Sequence, residues 1–162
     1  MRTQPPSEPG DFFVVRTNGW AGRLIRWVTR SSVNHAGVLV YGGRIVEARP
    51  SGAGYSSRPT DALWSHQPLT DDQRGQIVAA ATGFVGNPYS WLDCVCIGLA
   101  DRFGTNVPAA IRNRLQRPDR MICSQLVDSA YLDAGVHLFA DGRDPGAVSP
   151  EDLRQTIIQE GP

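Results

Sequence analysis

Apolar positions fall into two regimes along this 162-residue chain, short uninterrupted runs early and helical spacing later. Phe12-Phe13-Val14-Val15, after a Gly10-Asp11 turn, predicts a buried strand. Residues 35–41 and 44–48 flank Gly42-Gly43 and predict a β-hairpin. Residues 50–60, rich in Gly, Ser and Pro, predict a loop, and Ala62 to Leu69 a further strand. Between the first two strands, residues 20–30 follow a helical pattern, with Trp20, Leu24, Trp27 and Val28 on one face and Arg23, Arg26 and Arg30 elsewhere. From Thr70 onward the period is that of helices. Thr70-Asp71-Asp72-Gln73 has the spacing of a capping box and opens a helix to about Val85, closed by Gly86-Asn87-Pro88. Tyr89 to Phe103 predicts a buried apolar helix, and residues 107–116 a short helix bearing arginines. Leu126, Val127, Ala130, Tyr131 and Ala134 then recur at helical spacing before a stop at Gly135. Asp141 to Pro150 reads as loop, and Ser149-Pro150-Glu151 starts a last helix with Pro at its first position. Residues 1–9 form a loose tail and 10–162 a single domain, without repeats or an internal linker. Strands first and helices second make the class α+β.

Composition narrows this little. Apolar content of 41% and charged content of 20% are ordinary for a globular domain. Formal net charge is zero, so no global field argues for nucleic acid. All sixteen basic residues are arginine, a bias expected of a GC-rich genome. The series Arg112, Arg114, Arg117 and Arg120 lacks interleaved aromatics and reads as a solvated face. Three cysteines do not suggest a disulfide framework, so a reducing compartment is expected. The first nine residues lack the apolar core of a signal peptide, and no apolar run is long enough to span a membrane. The expectation is therefore a cytoplasmic protein, or one that is phage-encoded or delivered by another route. The Trp20/Trp27 face reads first as a core-covering face and second as a surface for membrane or acyl chain.

Chemistry enters with Cys123, in Met121-Ile122-Cys123-Ser124-Gln125-Leu126-Val127. A short apolar stretch ends there and a helix begins. A thiol in a first helical turn feels the positive end of the helix dipole, which favours the thiolate. A cysteine nucleophile needs an imidazole to exchange its proton and a third polar group to orient that ring. His35 and Glu47 are of the right types, and the backbone N–H of Cys123 is placed to bind an oxyanion. Singly, each has a bland reading: a buried small thiol, a strand-end histidine, a solvated hairpin carboxylate. Cys94 and Cys96 lie in an apolar run and read as core thiols, without partners spaced for a metal site. His66, on an expected edge strand, and His137, just beyond the Cys123 helix, rank below His35 as bases.

Geometry sets a condition on this trio. A two-residue Gly42-Gly43 turn would pair Tyr41 with Arg44 and Val38 with Glu47, leaving Glu47 on the face opposite His35. A three-residue loop, a bulge in either strand or a register centred nearer Tyr41 would bring the two onto one face.

The stretch Asn34-His35-Ala36-Gly37-Val38-Leu39-Val40-Tyr41-Gly42-Gly43-Arg44-Ile45-Val46-Glu47-Ala48 resembles the histidine strand of NlpC-type papain-like hydrolases, in which a second polar catalytic residue follows the histidine by twelve positions. Here the cysteine helix comes after that strand, as in the circularly permuted branch that includes YiiX-like proteins and relatives of lecithin:retinol acyltransferase. Gly10-Asp11-Phe12-Phe13-Val14-Val15, Gly86-Asn87-Pro88-Tyr89-Ser90 and Ser149-Pro150-Glu151-Asp152-Leu153 resemble its opening, middle and closing segments, over roughly residues 10–155. Tyr89-Ser90-Trp91 with Asp93-Cys94 also resembles the unpermuted cysteine motif. Val95-Cys96 follows there instead of Ser-Gly, and no histidine strand comes after it, so Cys123 is retained.

The resemblance implies an antiparallel sheet or small barrel packed against helices, with the catalytic cysteine at a helix N-terminus. It implies thiol attack on an amide or ester carbonyl through an acyl-enzyme, with Cys123, His35 and Glu47 catalytic. Tyr89, Asn34 and Trp20 are the candidate substrate-binding residues. No metal or organic cofactor is implied. The expected substrate is a peptide or isopeptide, a peptidoglycan stem peptide in particular. The alternatives are a lipid-type acyl ester or amide and a non-catalytic binding module.

Overall fold

Five strands form one antiparallel sheet in the computed structural model, which describes residues 6–19, 22–23, 26–27, 30–88, 103–105 and 122–159. They are β1 (Phe12–Val15), β2 (His35–Leu39), β3 (Arg44–Arg49), β4 (Gly52–Ser57) and β5 (Leu63–Trp64), in spatial order β4-β3-β2-β1-β5. The helices are α1 (Asp71–Gly83), α2 (Cys123–Asp133) and α3 (Pro150–Gln159). The order β4 to β5 leaves two different edges, so the sheet is open and the small-barrel alternative is excluded. The expected helix at 20–30 lies only partly within the described residues, where 22–23 and 26–27 are helical. The expected helices at 89–103 and 107–116 lie almost wholly outside them, as do Trp20, Tyr89, Cys94, Cys96 and the arginines from 112 to 120.

Alternation along the strands divides the sheet into two faces. Phe12, Val14, Ala36, Val38, Val46 and Ala48 face the helices and pack with Ile77, Leu126, Val127, Ala130, Tyr131 and Leu153. Burying an aliphatic side chain of this size contributes roughly 1.5–3 kcal/mol, so this layer holds the fold together. Phe13, Val15, Leu39, Ile45 and Trp64 form a smaller cluster on the other face. Hydrogen bonds from buried groups tie the layers. Tyr131 donates its hydroxyl proton to the Gly10 carbonyl at 2.7 Å, and Arg74 on α1 pairs with the buried Asp11 at 3.0 Å.

The Thr70 capping box is present: the Thr70 hydroxyl accepts from Gln73 N–H, and the Gln73 side chain accepts from Thr70 N–H. Its helix ends at Gly83, two residues before the expected Val85. Gly135, at φ 70°, follows the α2 helix as its sequence predicts.

Two expectations fail. Residues 50–60 are not all loop, because Gly52–Ser57 pairs with β3 along its whole length, from Arg44↔Ser57 to Arg49↔Gly52. The strand expected over 62–69 contracts to Leu63–Trp64, the only residues of that stretch in register with β1.

The hairpin differs in the way that matters for the site. Val40 N–H bonds the Arg44 carbonyl at 2.9 Å, leaving a three-residue loop of Tyr41, Gly42 and Gly43 in place of the two-residue turn. Gly42 and Gly43 sit at φ 75° and 70°, a left-handed pair that glycine adopts without steric cost. Leu39 therefore pairs with Ile45, Val38 with Val46 and Gly37 with Glu47. Gly37 is held close: a Cβ there would stand 2.7 Å from the Val46 carbonyl oxygen and 2.8 Å from the Phe13 ring.

Candidate active site

The three-residue loop puts Glu47 across from Gly37, and hence on the same sheet face as His35, two residues earlier on β2. His35 Nε2 and Glu47 Oε2 stand 2.5 Å apart. His35 is the first residue of β2, at the end of the sheet, and there its ring also hydrogen-bonds Cys123, the first residue of α2. Glu47 engages Nε2, so Nδ1 is the ring nitrogen left to the sulfur. Cys123 is itself 1% exposed and packs with the helix-side core.

Electrostatics follow this geometry. Burial by itself would push the His35 imidazolium down. Hydrogen bonds to Cys123 and Glu47, and their charges, overcome that and raise the ring to about 9. Burial pushes the Glu47 carboxyl up. The hydrogen bond and charge of His35, a hydrogen bond from Ser56 and the charge of Arg49 reverse this and hold it below its ordinary value. The arrangement is a proton-bearing ring clamped between a carboxylate and the Cys123 sulfur.

A cleft of about 360 Å³ opens on the Glu47 flank of this pair. Phe13, Val15 and Ile45 give it an apolar floor, and Thr17, Arg49, Ser57 and Pro59 stand around it with His35 and Glu47. The α2 N-terminus supplies backbone N–H groups beside the sulfur. Ser124, next along, spends its hydroxyl proton on the Val148 carbonyl at 2.5 Å.

Of the residues singled out from sequence, His35, Glu47 and Cys123 are brought together. Asn34 is buried and its carboxamide is engaged by Thr17, accepting from the backbone N–H at 2.8 Å and donating to the hydroxyl at 2.7 Å. It braces the start of β2 against Thr17, a residue of the cleft wall. Trp20 and Tyr89 fall outside the described residues. The other two histidines engage other carboxylates: His66 Nδ1 lies 3.9 Å from Asp11 Oδ2, and His137 bears on Asp128. Sequence reading missed Arg49 and Ser56, both against Glu47. Arg49 carried a signal, since positions two apart on one strand share a face.

No protein-family model and no curated protein matches the chain. Among solved structures it is similar to one described as the metalloprotein YiiX from Escherichia coli O157:H7, DUF1105. The TM-score is 0.60 at 18% identity, over 86% of this chain and 77% of that one. The fold is thus YiiX-like, with an open five-stranded sheet against three helices among the described residues. Among those residues no three His, Cys, Asp or Glu side chains gather as a metal ion would require. No described helix is long and apolar enough to cross a membrane.

Proposed function

We propose that this chain is a thiol-dependent hydrolase that cleaves an amide, peptide or isopeptide, through an acyl-enzyme. The observation that carries the reading is the His35 ring, hydrogen-bonded at once to Glu47 and to Cys123. Cys123 Sγ attacks the carbonyl carbon, with its proton held on His35. The oxyanion so formed is stabilised by N–H groups at the α2 N-terminus. His35 passes the proton to the leaving nitrogen, the C–N bond breaks, and a thioester remains on Cys123. Water then attacks the thioester with His35 as general base, releasing the acid and restoring the thiol. Glu47 accepts from Nε2–H and so fixes the tautomer and the ring plane. The YiiX-like fold supports the narrower reading of a circularly permuted NlpC-type papain-like enzyme, with a peptidoglycan stem peptide as the specific substrate.

One observation favours a second reading. Cys123 is nearly inaccessible, as it would be in a binding module that keeps the fold without the chemistry. Labelling separates the two. A thiol-directed activity probe followed by peptide mapping is expected to modify Cys123 in the folded protein, and His35→Ala to suppress that modification. Labelling confined to Cys94 or Cys96 would remove the nucleophile assignment. Glu47→Gln is expected to cost less than either, on the order of tenfold in turnover, because the amide oxygen still accepts from the ring. A loss as complete as that of a Cys123 variant would make Glu47 more than an orienting group.

A further inference from the structure

Glu47 is a buried carboxylate at 2% exposure, and its two oxygens have separate surroundings. Oε2 is committed to His35. Oε1 is buried without an aligned hydrogen bond, and against it rests the guanidinium of Arg49 as an ion pair. The pairing of β2 with β3, Gly37 to Glu47, sets Arg49 opposite His35 when it is continued two residues along both strands. Glu47 itself lies across from Gly54 on β4, where a Cβ would meet only open space. The Arg49 side chain is 56% exposed, so it approaches from the cleft rim rather than from the core.

We propose that Arg49 is a positioning residue of the catalytic centre: it holds Glu47 Oε1, so that Oε2 stays aimed at His35 Nε2. The proposal rests on the thiol-hydrolase reading. A carboxylate bound at one oxygen only can rotate about its Cγ–Cδ bond. A cation on the second oxygen removes that freedom and keeps the group ionised in a site where burial opposes ionisation. The groups facing this pair come from every element around it: Cys123 from α2 meets His35, and Ser56 from β4, Arg49 from β3 and His35 from β2 meet Glu47. Arg49 and His35 are the only cationic groups on the described cleft wall. Arg49 acts through Glu47, and through Glu47 on the ring that exchanges a proton with the sulfur.

The sign of its effect follows. Without Arg49, Glu47 takes up its proton at higher pH, the imidazolium loses its counter-charge, and proton exchange with Cys123 fails earlier on the acid side. An exposed guanidinium is worth well under one pH unit here, so the acid limb should move up by about half a unit. The test needs no natural substrate. The rate of Cys123 alkylation by iodoacetamide, read by mass spectrometry from about pH 3 to about pH 9 so that the range reaches below the ordinary carboxylate value, is compared in the whole chain for parent, Arg49→Gln, Arg49→Lys, Glu47→Gln and Arg44→Gln. Arg44 lies on the same strand, where it stacks on Tyr55 outside the site, and serves as control.

Expected are an acid limb raised in Arg49→Gln, a rate roughly threefold lower on that limb, partial restoration in Arg49→Lys, and no change in Arg44→Gln. A parental profile for Arg49→Gln, beside a displaced one for Glu47→Gln, overturns the role of Arg49 and leaves the hydrolase reading standing. Equal displacement in Arg44→Gln also overturns it, since the effect would then be one of general charge. A parental Glu47→Gln profile removes the carboxylate from the mechanism and the arginine with it. No alkylation of Cys123 in the parent overturns both readings.

Discussion

Cys123→Ala is expected to abolish turnover, by at least ~10⁴-fold, while leaving the fold almost as stable as before. The two halves of this expectation have different physical origins. The sulfur is the atom that forms the covalent intermediate, and alanine supplies nothing in its place, so no residual acyl-enzyme path exists. Stability depends instead on what the side chain packs against. Cys123 is small and buried, its backbone begins α2, and alanine is a good helix former, so the loss is one sulfur's contacts, about 1 kcal/mol. The measurement is hydrolysis of a chromogenic ester such as p-nitrophenyl acetate, with an initial burst reporting the acyl-enzyme, alongside a chemical-denaturation curve. Cys94→Ala run in parallel should keep its turnover. A Cys123→Ala protein that turned over at the parental rate would end the assignment. One that failed to fold would mean that the packing of the thiol in the core holds the fold together.

The residues of this site were legible in sequence to different degrees, for reasons that differ. Cys123 announces itself through the helix it begins: apolar positions at helical spacing and a glycine stop are local signals, and α2 runs from Cys123 to Asp133 as they require. The Thr70 cap is equally local. The His35–Glu47 relation is not. It depends on whether the hairpin loop has two residues or three, and Gly-Gly satisfies both, since each glycine tolerates the left-handed conformation either turn demands. The twelve-residue spacing therefore permitted opposite faces as readily as one face, and only the pairing of Val40 with Arg44 decides it. β4 carries no strand signal in sequence because Gly52, Gly54, Ser56 and Ser57 are poor strand formers taken alone. They become a strand because β3 presents an open edge, and Gly86 and Asn87 bond Ala53 on the far side. The strand expected over 62–69 contracts to Leu63–Trp64 because apolar residues without alternation, followed by Pro68, carry no register.

His35→Ala is expected to slow turnover by roughly 10³–10⁴-fold and to change how stability depends on pH. The first effect follows from the loss of the group that holds the proton for sulfur, leaving group and water in turn. The second follows from the ring's surroundings. Unfolded, an imidazole releases its proton near 6.5, whereas in the folded protein Cys123 and Glu47 raise that value to about 9 against the opposing effect of burial. A raised value means that the folded state holds the proton more tightly than the unfolded chain. The contribution to stability is then complete below about 6.5 and drains away as pH climbs toward about 9. In the alanine variant that slope is absent, and Glu47 is left buried with Arg49 and Ser56 against it. Denaturation midpoints measured at intervals across this window should fall more steeply in the parent than in His35→Ala. If the two curves run parallel while turnover collapses, His35 acts in catalysis without the clamped charge described above. If turnover survives, the ring is structural, and the thiol beside it has lost its proton acceptor.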